Sequence, residues 1–274
     1  MAAMSSEEKV RAASDWWSTE IIDIHPGEIA IRGYPIQELI GNVGFAEMIW
    51  LMLRGELPTR GQAELLEAAM VPAVDHGPQA PSIAIARMAV TCGLPLNGAM
   101  ASAVNVLDDI HGGAGQQCME IYYEIDREAG AYGDLVATAG TVLERHARTV
   151  PGFGHRFHPV DPRVEPLFAL VDKAVAQGTV SGRFAAIGRA VETVLEANKK
   201  RPIPMNIDGI TAVIFCELGL EPELGRGIFV LSRSVGILAH AWEQKRQGGR
   251  IKGPLPKEIP YTYTGQPKRP LPRP

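Results

Sequence analysis

From Pro35 onward, apolar positions recur at helical spacing along the chain. Residues 44–54 form an apolar run closed by Gly55 and Pro58, a helix with its stop signals. Residues 62–74 repeat the pattern. Residues 82–92 and 99–110 are rich in Ala, Met, Val and Leu with few polar breaks, which predicts helices buried on all sides. Further helices are expected over 118–128, 132–149, 164–177, 182–198 and 207–218. The clearest runs over about 224–246 and closes at Gly248-Gly249.

Elsewhere the pattern changes. Residues 1–14 read as frayed chain or a short helix. Residues 21–24 and 28–31 alternate apolar positions on either side of His25-Pro26-Gly27, which predicts a small β-hairpin. Residues 150–165 carry Pro151, Gly152, Gly154, Pro159 and Pro162 and read as a loop. Residues 199–204 form another breaker. The tail from Gly253 has prolines at 254, 256, 260, 267, 270, 272 and 274, so an extended, irregular course is expected. There is no fixed-period repeat and no βαβ rhythm. The fold class is therefore mainly α with one short N-terminal hairpin.

Composition narrows the function classes. The chain has 274 residues, 46% apolar and 21% charged, with a formal net charge of −4. No overall basic excess argues for a nucleic-acid partner. No window approaches the roughly 20 apolar residues that span a bilayer, and residues 1–13 lack the apolar core of a signal peptide. Cys92, Cys118 and Cys216 are odd in number and far apart. They predict buried, reduced thiols in a soluble cytoplasmic protein.

Chemistry concentrates in a few segments: Asp75-His76-Gly77-Pro78, His111-Gly112-Gly113-Ala114, Gly152-Phe153-Gly154-His155-Arg156 running on to Asp161-Pro162-Arg163, and Asn206-Ile207-Asp208-Gly209. Singly, each has a structural explanation. A His beside Gly is often a turn residue, Asp208 fits a helix N-cap, and Asp161-Pro162 fits turn initiation. Arg233 is harder to dismiss, because it sits among Ile228, Phe229, Val230, Leu231, Val235 and Ile237. A charge embedded there must snorkel or meet an anion, and a ligand carboxylate is a natural bidentate partner. Residues 233, 236, 237 and 240 share one helical face. No HxH, HxxxH or HExxH spacing is present, so no metal site is expected.

Taken in order, these segments resemble the citrate synthase family. Ile31-Arg32-Gly33-Tyr34-Pro35-Ile36 and Gly55-Glu56-Leu57-Pro58-Thr59 resemble its early segments. His111-Gly112-Gly113-Ala114, Gly152 to Arg156 with Asp161-Pro162-Arg163, and Asn206-Ile207-Asp208 resemble its three catalytic segments. The likeness covers roughly residues 16–265. Asp75 to Pro78 and residues 206–209 and 227–246 look closer to the citryl-CoA lyase module of ATP-citrate lyase. The chain departs from the synthase pattern at Gly115-Gln116, where Asn-Glu is usual. It departs again at Gly253, beside Lys252, where synthases carry an arginine.

The resemblance implies an acyl-CoA-dependent enzyme that makes or breaks a carbon–carbon bond beside a thioester through an enol. In that reading Asp208 is the base, His111 donates to the thioester oxygen and His155 polarises the keto carbonyl. His76, Arg163 and Arg233 hold substrate carboxylates, and Gly152, Phe153, Gly154 and Arg156 receive coenzyme A. The implied partners are an acyl-CoA with a 2-oxo acid, or citryl-CoA. No permanently bound cofactor is implied, because the CoA thioester is a substrate. A homodimer or dimer of dimers is implied, with a large lobe at 1–119 and 226–274 and a small lobe at 120–225. Gly253 opens a second reading, a 2-methylcitrate synthase or a relative using another acyl-CoA or 2-oxo acid. A non-catalytic CoA-binding homologue is the third, and the presence of Asp208 with all three histidines disfavours it.

Overall fold

The computed structural model of the protein describes residues 4–146, 149–154, 159–198, 203–251 and 258–271. Among these residues there are twelve α-helices and one three-stranded antiparallel sheet. In order they are α1 (Ser6–Trp16), β1 (Ile22–His25), β2 (Glu28–Ile31), β3 (Tyr34–Pro35), α2 (Ile36–Leu39), α3 (Phe45–Arg54) and α4 (Arg60–Met70). Then follow α5 (Pro81–Thr91), α6 (Leu96–Val104), α7 (Ala114–Ala129), α8 (Leu135–Arg145), α9 (Val164–Ala176), α10 (Arg183–Asn198), α11 (Ile207–Glu217) and α12 (Pro222–Gln247). The mainly α expectation holds.

Local chemistry accounts for the ends of these elements. α1 buries no residue and forms on a capping box. Glu8 N–H donates to Ser5 Oγ at 3.2 Å, and Ser5 N–H donates to Glu8 Oε2 at 2.7 Å. A second capping box, Thr59 with Gln62, starts α4. The hairpin pairs His25 with Glu28 across Pro26-Gly27, where Gly27 has φ +84°, as Pro-Gly turns require. β3 was not evident in the sequence. It is two residues long and returns through Arg32 and Gly33, both at positive φ, the backbone of a tight hairpin turn.

The chain divides into two compact units, Met1–Val74 with Asp109–Ser232, and Asp75–Asp108 with Arg233–Pro274. In the first, α11 is the central element. Its residues from Gly209 to Cys216 are all buried, and it packs on α7, α10, α9 and α4. Tyr122, Met119, Ile187, Val171 and Leu66 supply the surrounding core. In the second unit α5 packs on α6. Arg87 of α5 donates to Glu243 at 2.7 Å and to Gln247 at 2.8 Å, both on the later turns of α12.

Three expectations need correction. α5 and α6 are not buried on all sides; Met88, for example, is 45% exposed. The helix that is apolar and enclosed all round is α11. α6 stops at Val104 rather than running to 110, and polar Asn105, Asp108 and Asp109 fall in the following turns. Cys92 is exposed, whereas Cys118 and Cys216 are buried.

Glu217, the last residue of α11, caps the start of α10. Its Oε2 accepts from Ser181 N–H, Ser181 Oγ and Gly182 N–H at 3.0–3.1 Å. Its Oε1 accepts from Phe184 and Ala185 N–H at 2.7 and 3.1 Å. One carboxylate thus satisfies donors that a helix N-terminus leaves orphaned, with the helix dipole favouring its charge. Glu217→Ala should cost about 2 kcal/mol of stability. The check is a lower urea midpoint with unchanged slope.

Candidate active site

The candidate site in the first unit is built where two irregular segments pair. Gly154 N–H donates to Pro204 O at 2.7 Å, and Asn206 N–H donates to Gly152 O at 2.9 Å. Phe153 and Met205, both buried, face each other in an antiparallel bridge. Asn206 Nδ2 adds a bond to Gly154 O at 2.6 Å. From α10, Glu192 Oε1 accepts from Met205 N–H at 2.7 Å. The glycine-rich segment is therefore seamed to the residues that open α11.

The close approach needs two glycines. A Cβ on Gly209 would lie 2.4 Å from Gly152 O, and one on Gly152 would lie 2.8 Å from Gly209 Cα and 2.7 Å from Cys118 Sγ. Gly152 also has φ +84°. These contacts are below any tolerable separation, so the seam exists only without side chains at both positions.

Asp208 sits in the first turn of α11 and is half-buried. It is not the helix cap. That work falls to Asn206, whose Oδ1 accepts from Asp208 N–H at 2.9 Å and Gly209 N–H at 3.3 Å.

Asp161 lies beneath the same helix end, with its side chain wholly out of solvent. Its Oδ1 accepts from Arg163 N–H at 3.1 Å and Arg163 Nε at 2.8 Å, and its Oδ2 accepts from Arg163 Nη2 at 2.8 Å. The same Oδ2 accepts from Ile207 N–H at 3.0 Å. Burial alone would raise this carboxyl. The Arg163 side chain, the Arg163 N–H and the Ile207 N–H outweigh it and bring the pKa down to about 2.

α7 forms the neighbouring wall. His111 precedes it by three residues, and α7 packs along α11. Cys118, in its second turn, touches Gly152 and lies within reach of the Asp208 charge. Burial pushes the Cys118 thiol up to about 12, against the Tyr122 hydrogen bond and with Asp208 adding to it. Cys118 is thus an uncharged packing residue. Tyr122 OH donates to Gly209 O at 3.4 Å.

In the second unit, Gly77 N–H donates to Asp75 Oδ2 at 3.1 Å, a local turn around His76. His240 Nε2 lies 3.2 Å from Asp75 Oδ1. Burial would raise the Asp75 carboxyl, but His240 and the Gly77 N–H hold it below the usual range. Arg233 is 6% exposed, as its apolar setting predicted. Asp75 and His240 were missed as partners, although position 240 already shared the Arg233 face in the sequence.

The first unit thus holds Gly152, Phe153, Gly154, Arg163, Asp208 and His111, and the second holds His76 and Arg233. His155, Arg156, Lys252 and Gly253 lie outside the described residues. Among the described residues no cluster of three or more His, Cys, Asp or Glu could hold a metal ion. No described helix is long and apolar enough to cross a membrane.

A family model of the citrate synthase C-terminal domain matches residues 12–69 and 60–254. A citrate synthase of Haloferax volcanii is 31% identical over 81% of the chain, and the chain spans 57% of that relative's length. Among solved structures, a citryl-CoA lyase from Hydrogenobacter thermophilus superposes with a TM-score of 0.82 at 32% identity, covering 93% of this chain and 97% of that one. An ATP citrate lyase from Methanothrix soehngenii, in complex with citrate and coenzyme A, shares the fold with a TM-score of 0.77 at 22% identity, over 97% of this chain and 46% of that one.

Two outcomes follow from the site geometry. Gly209→Ala must separate the seam and should destabilise the protein by about 3 kcal/mol, read by denaturant unfolding. Asp161 has a folded pKa below its ordinary value, so its stabilisation is present above about pH 4 and is lost as pH falls toward about 2. The stability difference between the wild type and Asp161→Asn, about 2 kcal/mol near neutrality, should therefore shrink steadily from about pH 5 to about pH 2.

Proposed function

Because the chain belongs to the citrate synthase family, we propose that it is a citryl-CoA lyase, cleaving citryl-CoA to acetyl-CoA and oxaloacetate. The observation that carries this reading is the seam itself. It places Asp208 on the opening turn of a buried helix, with Asn206 doing the capping and the 152–154 backbone tied alongside. The lyase direction is supported by the likeness to a citryl-CoA lyase, which runs along 97% of that chain.

The reaction is a retro-aldol cleavage of a β-hydroxy thioester. The tertiary hydroxyl of the citryl group loses its proton to His155 as the C2–C3 bond breaks. The hydroxyl carbon becomes the ketone of oxaloacetate, and the departing carbon becomes the enolate of acetyl-CoA. His111 donates to the thioester oxygen, where charge develops. Asp208, protonated at this stage, delivers its proton to the enolate carbon. In the reverse direction Asp208 is the base that removes a methyl proton. Arg163, His76 and Arg233 take substrate carboxylates, for which guanidinium forks are suited. Gly152, Phe153 and Gly154 offer backbone to the pantetheine arm, and Arg156 meets phosphate. Coenzyme A enters as part of the substrate, and no resident cofactor is required. A small lobe over 120–225, a dimer or dimer of dimers and a cytoplasmic location belong to the same proposal.

Purified protein given citryl-CoA should form acetyl-CoA and oxaloacetate in equal amounts, without free thiol. Thiol release from acetyl-CoA plus oxaloacetate would instead identify a synthase, and no reaction in either direction would overturn the enzymatic reading. Asp208→Asn should lower kcat by about 10²–10⁴-fold while leaving CoA affinity unchanged.

A further inference from the structure

Asp161 has a part in none of the steps above, yet its carboxylate accepts four hydrogen bonds beside them. Its side chain is fully buried, and its two oxygens are divided between two structures. Oδ1 takes the backbone N–H and Nε of Arg163. Oδ2 takes Nη2 of Arg163 and the N–H of Ile207, the first residue of α11. A guanidinium presents two bidentate edges, one of Nε with an Nη and one of both Nη groups. Asp161 takes the first, so a second carboxylate must approach Arg163 end-on through its Nη groups. Asp161 also neutralises the arginine. Recognition then depends on where the fork is aimed more than on net charge.

We infer that Asp161 is a positioning residue for the reaction: it aims Arg163 end-on at a substrate carboxylate and ties that arginine to the helix turn carrying Asp208. The inference rests on the lyase reading for the identity of the substrate. Without the Asp161 carboxylate, Arg163 swings and the Ile207 N–H in the opening turn of α11 loses its acceptor. A purely structural Asp161 would instead lower stability with no preference between ligands.

The test uses citrate and coenzyme A as separate probes, by calorimetry, together with citryl-CoA turnover. Asp161→Asn should weaken citrate about 10- to 100-fold and leave coenzyme A within about twofold. In an Arg163→Gln background, adding Asp161→Asn should weaken citrate no further, because the effect runs through the arginine. Equal losses in both backgrounds, or equal losses for both probes, overturn the inference.

Ile207→Pro serves if Asp161→Asn does not fold. Proline is well accepted at a first helical position, and Asn206 already has the extended backbone that proline requires before it. This variant removes the N–H that meets Asp161 and also trims the partly buried Ile207 side chain that packs on the core, so it is read against Ile207→Ala, which keeps the N–H. Relative to that control, Ile207→Pro should lower kcat about tenfold with citrate affinity kept. Unchanged kcat overturns the tie to the helix. Wild-type protein that neither binds citrate nor cleaves citryl-CoA fails the lyase reading itself, a result separate from any failure of the variants.

Discussion

The geometry of the candidate site depends on one contact that no side chain could enter, the meeting of backbone at Gly152 with backbone at Gly209. Loop and helix start cannot normally lie so close, since each brings its own unsatisfied polar groups. Here those groups satisfy each other. Gly152 O, Gly154 O, Gly154 N–H and the Asp208 and Gly209 amides of α11 are all paired through Pro204 and Asn206. A single asparagine does most of this, capping the helix with its oxygen and holding the loop with its nitrogen. Because the cap is provided two residues earlier, a carboxylate in the first turn can be used for something else.

The charges beside this seam are compensated locally. Asp161 is paired with Arg163 and with a helix-end amide, so a buried anion and a cation coexist with little net field. Breaking such a pair costs more than the pair itself contributes, because the survivor is left uncompensated. Cys118 follows the same logic in reverse. Burial and the Asp208 charge keep its thiol protonated, so it fills space beneath the seam without competing chemistry.

Much of this was legible in the sequence. Helix positions followed from apolar period and from glycine and proline stops, as at Gly55 and Gly248. The chemical segments stood out because histidine, aspartate and arginine recur beside glycine. What could not be read was tertiary. α5 and α11 have similar apolar composition, but only α11 is enclosed, and enclosure depends on which neighbours arrive. β3 is too short for any periodicity. The role of Asn206 as cap, rather than Asp208, depends on backbone angles two residues apart. Asp75 with His240, and Asp161 with Ile207, join positions 165 and 46 residues apart by numbering, and no local pattern encodes such pairs.

The complete enclosure of α11 has a consequence for motion. Backbone amides in a helix buried along eight successive residues exchange with solvent only when the surrounding core opens, so they should be among the slowest in the molecule. A carboxylate mounted at the end of such a helix cannot wander by local fraying alone. Any rearrangement during turnover must come from the segments around it, with Asp208 serving as the stationary reference against which they move.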